Sequence, residues 1–275
     1  KIPTAIRQSD YGSICGLNTF LYEESFCTKC ISTQSSVLRY NCFNSYIRSI
    51  HYYLVNRINY FSLSLTRPKI IFTNNFAKEL SKKSSIYNSS KISVINTFGD
   101  DFFEADNKVY KHDFIYFGRI SKDKGINELI SSIVDQDLGY RFLFVGDVSD
   151  DIEINHNKLP KNIIVQNKMD MKDLKILISQ SKFVIIPSKW FDNLPNTLIE
   201  AYSFGKPVIM PNHGSFKEFQ INPNLFFDKD LKCIKYAMEI SNNDYEKAST
   251  EAKRIFVSQF SKSSHFNSLL NENII

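Results

Sequence analysis

Two carboxylates, Asp192 and Glu200, are separated by seven residues in the string PSKWFDNLPNTLIEA, residues 187–201. Pro195, between them, suits the first turn of a helix, where a missing N–H is no loss. Asp192 then lies just before that helix, and Glu200 about one and a half turns along it. The unsatisfied N–H groups of a helix start make an anion site. Glu200, further in, could accept hydrogen bonds from sugar hydroxyls. The plainer alternative is an N-cap Asp and a half-buried Glu paired with Lys206. A second constellation is Gly118-Arg119 followed by Lys124-Gly125. A glycine lets another group approach the backbone, and the two cations could converge on a diphosphate. A surface Arg and Lys at a helix start would look the same. Gly146-Asp147 is too short to be specific. Cys15, Cys27, Cys30 and Cys42 are spaced by eleven, two and eleven intervening residues. Four thiolates could close a tetrahedral zinc site. Only one pair has the CxxC spacing, and buried free thiols are the other reading.

The elements that must hold these residues follow from the apolar runs. Residues 114–117, 142–145, 163–165, 183–186 and 208–209 read as strands, and three of them end at Gly118, Gly146 and Pro187. Most are continuous apolar runs without alternation, as in parallel strands buried on both faces. Helical patterns fall between them, at 126–133, around 174–177 and at 198–202. The last stops at Gly205, with Pro207 beyond it. Alternating strands and helices predict a doubly wound α/β sheet, whose ligands bind beyond the carboxyl ends of the strands. All three glycine- or carboxylate-bearing segments fall there. Upstream, residues 4–6, 70–72 and 92–95 read as strands, 76–80 as a helix, and 43–63 as a helix with a stripe at Phe43, Ile47, Ile50, Leu54, Ile58 and Phe61. The polar stretch 99–112 reads as a linker, and 244–271 as helical.

Composition bounds the rest. Of 275 residues, 43% are hydrophobic and 23% charged, as in ordinary globular chains rather than disordered ones. There is no apolar run of spanning length. The net charge of +5 comes mostly from Lys, with no dense basic block of the kind a nucleic-acid binder needs, so no nucleic-acid partner is expected. Five cysteines do not make a disulfide scaffold in a chain of this size.

At this point a family resemblance emerges. The string PSKWFDNLPNTLIEAYSFGKPVI, residues 187–209, resembles the PSxWxE…PxxxxEAxxxGxPVI signature of family 4 retaining glycosyltransferases, which have the GT-B architecture. FGRISKDKGI, residues 117–126, resembles their GRxxxxKG segment. Gly214–Glu218 resembles their GGxxE loop, with Ser215 in place of the second Gly. Further upstream, Ser9-Asp10-Tyr11 with Ile14-Cys15 is similar to the first-domain loop that faces the donor, with Ser9 where many members have His. Residues 74–79 and 94–96 are similar to later parts of that domain. Asp192 stands where the family usually has Glu, one methylene longer.

The resemblance implies a complete C-terminal Rossmann-like domain (113–275, with closing helices), a linker (99–112) and a partial N-terminal Rossmann-like domain (1–98). It implies that Arg119 and Lys124 clamp the diphosphate of a UDP- or GDP-sugar, that Glu200 binds the ribose and Asp192 the sugar. Gly118, Asn193, Leu194, Pro195, Asn196 and Asp10 complete the donor contacts. No cofactor is then needed, since two cations replace a metal; structural zinc at the four cysteines stays open. The implied reaction is sugar transfer, with retention, to a glycan or lipid-linked acceptor in surface polysaccharide or lipopolysaccharide assembly. A non-catalytic nucleotide-sugar-binding remnant or interaction module is the alternative. The implied location is cytoplasmic, peripheral on the inner face of the membrane. The basic, aromatic helix 43–63 could contact an anionic membrane, or simply pack on the first-domain sheet. A start at Lys1, with no counterpart for the family's earliest strands, suggests the back portion of a longer enzyme.

Overall fold

The computed structural model describes residues 4–23, 25–87, 90–102, 109–155, 158–228 and 230–274. They form two compact units. One comprises Lys1–Thr97, Trp190–Leu194 and His265–Ile275, the other Phe98–Lys189 and Pro195–Ser264. Sequence reading kept Trp190–Leu194 and His265–Ile275 with the second domain. Both pack with the first unit because their side chains find partners there. Phe191 packs against Phe26 and Phe76, and Glu272 pairs with Lys69 at 2.6 Å.

The first unit is built on a parallel sheet. Its strands are β1 (Ala5–Gln8), β4 (Lys69–Phe72) and β5 (Ile92–Val94), in the order β1-β4-β5. Between β1 and β4 lie a short antiparallel pair, β2 (Leu21–Tyr22) and β3 (Ser25–Phe26), and the helices α1 (Lys29–Ser32), α2 (Ser36–Arg39) and α3 (Tyr46–Thr66). α3 starts at Ser45, whose hydroxyl accepts from the Arg48 N–H, and stops at Arg67 in the left-handed region, just before Pro68. α4 (Asn75–Lys82) is capped by Asn74, whose side chain accepts from the Ala77 N–H at 2.7 Å. Tyr11, Ile14, Phe20, Ile70, Phe72 and Tyr87 are central to this unit's core.

The second unit carries five parallel strands: β6 (His112–Phe117), β7 (Phe142–Val145), β8 (Ile163–Gln166), β9 (Ser181–Ile185) and β10 (Val208–Ile209). Their order, β10-β9-β6-β7-β8, is that of a doubly wound sheet reversing beside β6. α5 (Ile126–Asp135), α6 (Met171–Ser179), α7 (Asn196–Ser203) and α8 (Phe216–Phe219) alternate with or follow the strands. α9 (Lys232–Glu239), α10 (Asn242–Ile255) and a π-helical turn at Phe256–Phe260 close it, before α11 (Lys262–Asn271). The central strands are buried on both faces, and register places Phe114 opposite both Phe142 and Phe183. Their rings stack at 5.0 and 5.8 Å, a row of aromatics through the sheet. Where the chain enters β6 and β7, Arg141 clamps Asp113 through its backbone N–H, Nε and Nη2.

The stretch read as a linker, 99–112, lies partly outside the described residues, at 103–108. Its described parts join the second unit: the Gly99 N–H donates to the Phe260 carbonyl at 2.9 Å, and the Phe102 ring lies 5.4 Å from that of Phe204. The segment read as one helical stretch, 244–271, is three pieces, because the π-turn at 256–260 and Ser261 in extended conformation interrupt it.

Candidate functional site

Within the second unit, the segments after β6 and β9 carry Gly118, Arg119, Lys124, Pro195, Asn196 and Glu200. β6 ends at Phe117, and its carbonyl accepts from the Thr197 hydroxyl at 3.2 Å, tying the first turn of α7 to the strand end. Gly118 follows, then Arg119, whose carbonyl accepts from the Tyr116 hydroxyl. Beyond Arg119 the chain bridges to Val148 through Ile120 and makes a 3-10 turn, Lys122–Lys124, ending at Gly125.

Two glycines shape this strap. Gly125 has φ 71°, and a Cβ there would stand 2.4 Å from the Pro187 carbonyl oxygen. A Cβ on Gly146 would stand 1.7 Å from the Gly118 carbonyl oxygen. The end of β7 is thus pressed against the Gly118-Arg119 turn, with no room for a side chain. Gly146-Asp147, uninformative as a motif, turns out to set the position of that turn. The 187–189 loop after β9 is fastened to the strap as well: the Lys189 N–H donates to the Asp123 carbonyl at 3.1 Å. The Lys189 ammonium pairs with Glu128 at 2.5 Å.

Arg119 is exposed, and its guanidinium lies 3.0 Å from Asp123. Lys124 is half-buried on the 3-10 turn. Of the two readings for this pair, an exposed ion pair holds Arg119 in this structure. Such a pair is weak enough to exchange for a diphosphate.

α7 starts as its residues dictate. Pro195 is extended and forms the N-cap, one place earlier than a first-turn proline, and Asn196 opens the helix. Glu200 is the fifth residue of α7, half-buried, in a cleft of about 240 Å³ with Phe98, Gly99, Met171, Asn196 and Ile199. It has no ion-pair or hydrogen-bond partner among the described residues, and burial pushes its carboxyl up to about 7. The alternative pairing with Lys206 does not form. Lys206 donates to the Ser179 carbonyl at 2.9 Å and lies over the Tyr110 ring. Nor is Asp192 an N-cap, since Pro195 occupies that place. The helix ends as read, with Gly205 left-handed at φ 65°.

Asp192, Asn193 and Leu194 belong to the first unit. Asp192 is buried. The Asn193 side chain accepts from Asn74 Nδ2 at 2.8 Å and donates to the Gln8 carbonyl at 3.3 Å. Asp10, also in this unit, accepts from the Gly12 N–H at 2.9 Å and so closes a turn. Thr197, Tyr116 and Lys189 escaped the sequence reading. Thr197 alone had a signal, a hydroxyl in the first turn of the helix that carries Glu200.

The four clustered cysteines are free thiols in the first unit. Burial, then the neighbouring Cys15, Cys42 and Cys27, push the Cys30 thiol up to about 12. Among the described residues, no three His, Cys, Asp or Glu side chains are gathered so as to hold a metal ion.

No curated protein matches the chain by sequence. Its fold is similar to several solved structures. The Anabaena HepE protein in complex with UDP is 14% identical with a TM-score of 0.70, over 99% of this chain and 72% of that one. A glycosyltransferase from Rickettsia africae is 20% identical with a TM-score of 0.62, over 80% and 65%. Sucrose-phosphate synthase from Thermosynechococcus elongatus is 13% identical with a TM-score of 0.60, over 74% and 57%. The chain therefore spans less than two thirds of the length of the last two. With its parallel sheets, the α/β fold matches that of GT-B glycosyltransferases. The family profile Glycosyl transferases group 1 matches residues 98–230, the stretch that holds the strap, α7 and Glu200. That stretch is just under half of the chain, so the second unit is similar to a glycosyl transferases group 1 domain.

Proposed function

We propose that the chain is the donor-binding part of a retaining glycosyltransferase that takes a sugar from a nucleoside diphosphate. The observation that carries this is Glu200, a half-buried carboxyl without a partner among the described residues, on a helix whose first turn is tied to Phe117, just before the Gly118-Arg119 turn. A carboxylate in a cleft with no hydrogen-bond partner among the described residues is suited to a ligand's hydroxyl groups, here those of the ribose. Arg119 and Lys124 would hold the diphosphate. The negative charge on the leaving nucleoside diphosphate grows as the glycosidic bond breaks. Two cations placed there favour the transition state over the ground state, with no divalent metal required. Asp192 and the backbone of 193–196 would hold the transferred sugar, and Asp10 completes the donor contacts.

A uridine nucleotide is the first donor to test, because HepE and the pneumococcal O-GlcNAc transferase GtfA were solved with UDP. The acceptor we propose is a glycan or lipid-linked sugar of a surface polysaccharide or lipopolysaccharide, met at the inner face of the membrane. Among the described residues no helix is long and apolar enough to cross one. Zinc at Cys15, Cys27, Cys30 and Cys42 is a separate structural proposal, answered by metal analysis of reduced protein.

The test is release of nucleoside diphosphate from a panel of UDP- and GDP-sugars, with Glu200→Ala and Lys124→Ala beside the wild type. Turnover that falls at least a hundredfold in either variant, on the order of one lost transition-state contact, supports the enzyme. Tight nucleotide binding without turnover identifies the non-catalytic binding module instead.

A further inference from the structure

α3 is amphipathic the wrong way round for a helix that packs on its own sheet. Ile47, Ile50, Leu54, Ile58, Phe61 and Leu65 recur at spacings of three and four residues and are all exposed, Ile47 to 82%, Ile58 to 68% and Phe61 to 64%. At 100° per residue they fall within an arc of about 80°. The opposite side faces the protein, where Tyr60 and Leu63 pack against the first unit's core and the fully buried positions are polar. Ser49 and Asn56 are the buried residues of α3. The Ser49 hydroxyl donates to the Asn41 side chain at 3.2 Å, Asn56 Nδ2 to the Ser13 carbonyl at 3.4 Å, and the Tyr52 hydroxyl to the Gly12 carbonyl at 2.7 Å. The helix thus packs on the core of the first unit, but not through this stripe. The helix is held by these hydrogen bonds and by Tyr60 and Leu63, and presents its apolar stripe outward.

Charge says what covers that face. From Ser25 to Lys78 there is no Asp or Glu, while Lys29, Arg39, Arg48, Arg57, Arg67, Lys69 and Lys78 are all cationic. Arg48 and Arg57 are exposed on α3 itself, on either side of the stripe. Tyr46, beside the stripe, is exposed to 67% and amphipathic, as suits a lipid headgroup region. A helix of 21 residues is about 31 Å long. With polar residues along one side it cannot cross a bilayer, but it can lie in the plane of its surface.

We propose that α3 is a membrane-docking helix. Its stripe from Ile47 to Leu65 enters the headgroup boundary of an anionic lipid surface, and Arg48 and Arg57 sit on the lipid phosphates. This deepens the location proposed above. It is tested without any sugar donor, so lipid binding and transfer can fail separately.

The experiment is co-sedimentation of the full chain with vesicles of phosphatidylcholine alone or mixed with phosphatidylglycerol, at low and high salt. Binding to the mixed vesicles, weakened by salt, is expected. Arg48→Gln/Arg57→Gln should lower the partition coefficient about thirtyfold, at about fivefold per charge. Ile50→Asp/Leu54→Asp/Ile58→Asp should abolish binding. These side chains are exposed, so the thermal midpoint should stay unchanged. If the triple variant is unfolded, the arginine variant decides alone. Equal binding to both vesicle types, binding to neither, or wild-type binding by a folded stripe variant overturns the proposal. So does a wild-type dimer in sedimentation equilibrium that the stripe variant converts to monomer, since a second copy would then be the occupant.

Discussion

Glu200 gives the most exacting test of the donor site, because its burial has a measurable proton cost. Its carboxyl is pushed up to about 7, from 4.5, by desolvation alone. In the free protein at pH 6, about one Glu200 in eleven is ionised, by the ordinary titration relation. Ribose hydroxyls donate to the carboxylate and favour the charged form, so binding a nucleotide-sugar should expel a proton. The dissociation constant of a UDP-sugar should then be about tenfold larger at pH 6 than at pH 8, and about a hundredfold larger at pH 5. The intact sugar nucleotide is the right probe, since its esterified diphosphate has no group that titrates near neutrality. Isothermal calorimetry at pH 6.5 in two buffers of different ionisation enthalpy should show about three quarters of a proton released. Glu200→Gln should flatten the pH dependence and release none. Stability follows with the opposite slope. The folded protein binds the extra proton between about pH 4.5 and 7, so Glu200 leaves stability intact at low pH and lowers it as pH rises through that window, by about 3 kcal/mol at pH 8. Glu200→Gln should therefore raise the thermal midpoint at pH 8 and leave it unchanged at pH 4. A wild-type affinity independent of pH from 5 to 8, with no proton released, would refute the assignment of Glu200 to a ligand hydroxyl.

Three further outcomes follow from the packing. Gly146→Ala drives a Cβ into the Gly118 carbonyl, so it should cost at least about 3 kcal/mol of stability; a chemical denaturation curve matching wild type would contradict the close approach. Arg141→Ala strips the buried Asp113 carboxylate of its two guanidinium donors and leaves only the backbone N–H, so it should cost roughly 2–3 kcal/mol, read in the same way. Both Cys30 and Cys233 are pushed up to about 12, mainly by burial. In native protein at pH 8 both should resist alkylation and react after denaturation, as mapped by peptide mass spectrometry.

Much of the second unit was legible because its signals are local. Continuous apolar runs gave β6, β7 and β9, and a Gly followed by Pro207 ended α7 close to its real end. β8 was legible as a strand, although as an edge strand it buries Ile163 and exposes Ile164. The crowding at Gly146 was hidden, because it depends on a carbonyl 28 residues earlier in the chain, at Gly118. The partners of Asn193 were hidden for the same reason. Gln8 and Asn74 are more than a hundred residues away in sequence, and no local pattern carries that information.

α3 shows most plainly where sequence stops. Its period, its arginines and the lack of any carboxylate from 25 to 78 are properties of the chain, and they alone specify a basic, amphipathic helix. Periodicity states that one face differs from the other, not which face meets the protein. That was decided by the partners: Gly12, Ser13 and Asn41 offer hydrogen-bonding groups, and they take Tyr52, Asn56 and Ser49. The apolar stripe is left outward because the opposite side found its partners in the folded unit, these hydrogen bonds and the core contacts of Tyr60 and Leu63. Glu200 is the same case in miniature. Its type and its place on a helix were written in the sequence, but only the tertiary structure half-buries it in a cleft without a hydrogen-bond partner among the described residues, which is what raises its carboxyl to about 7.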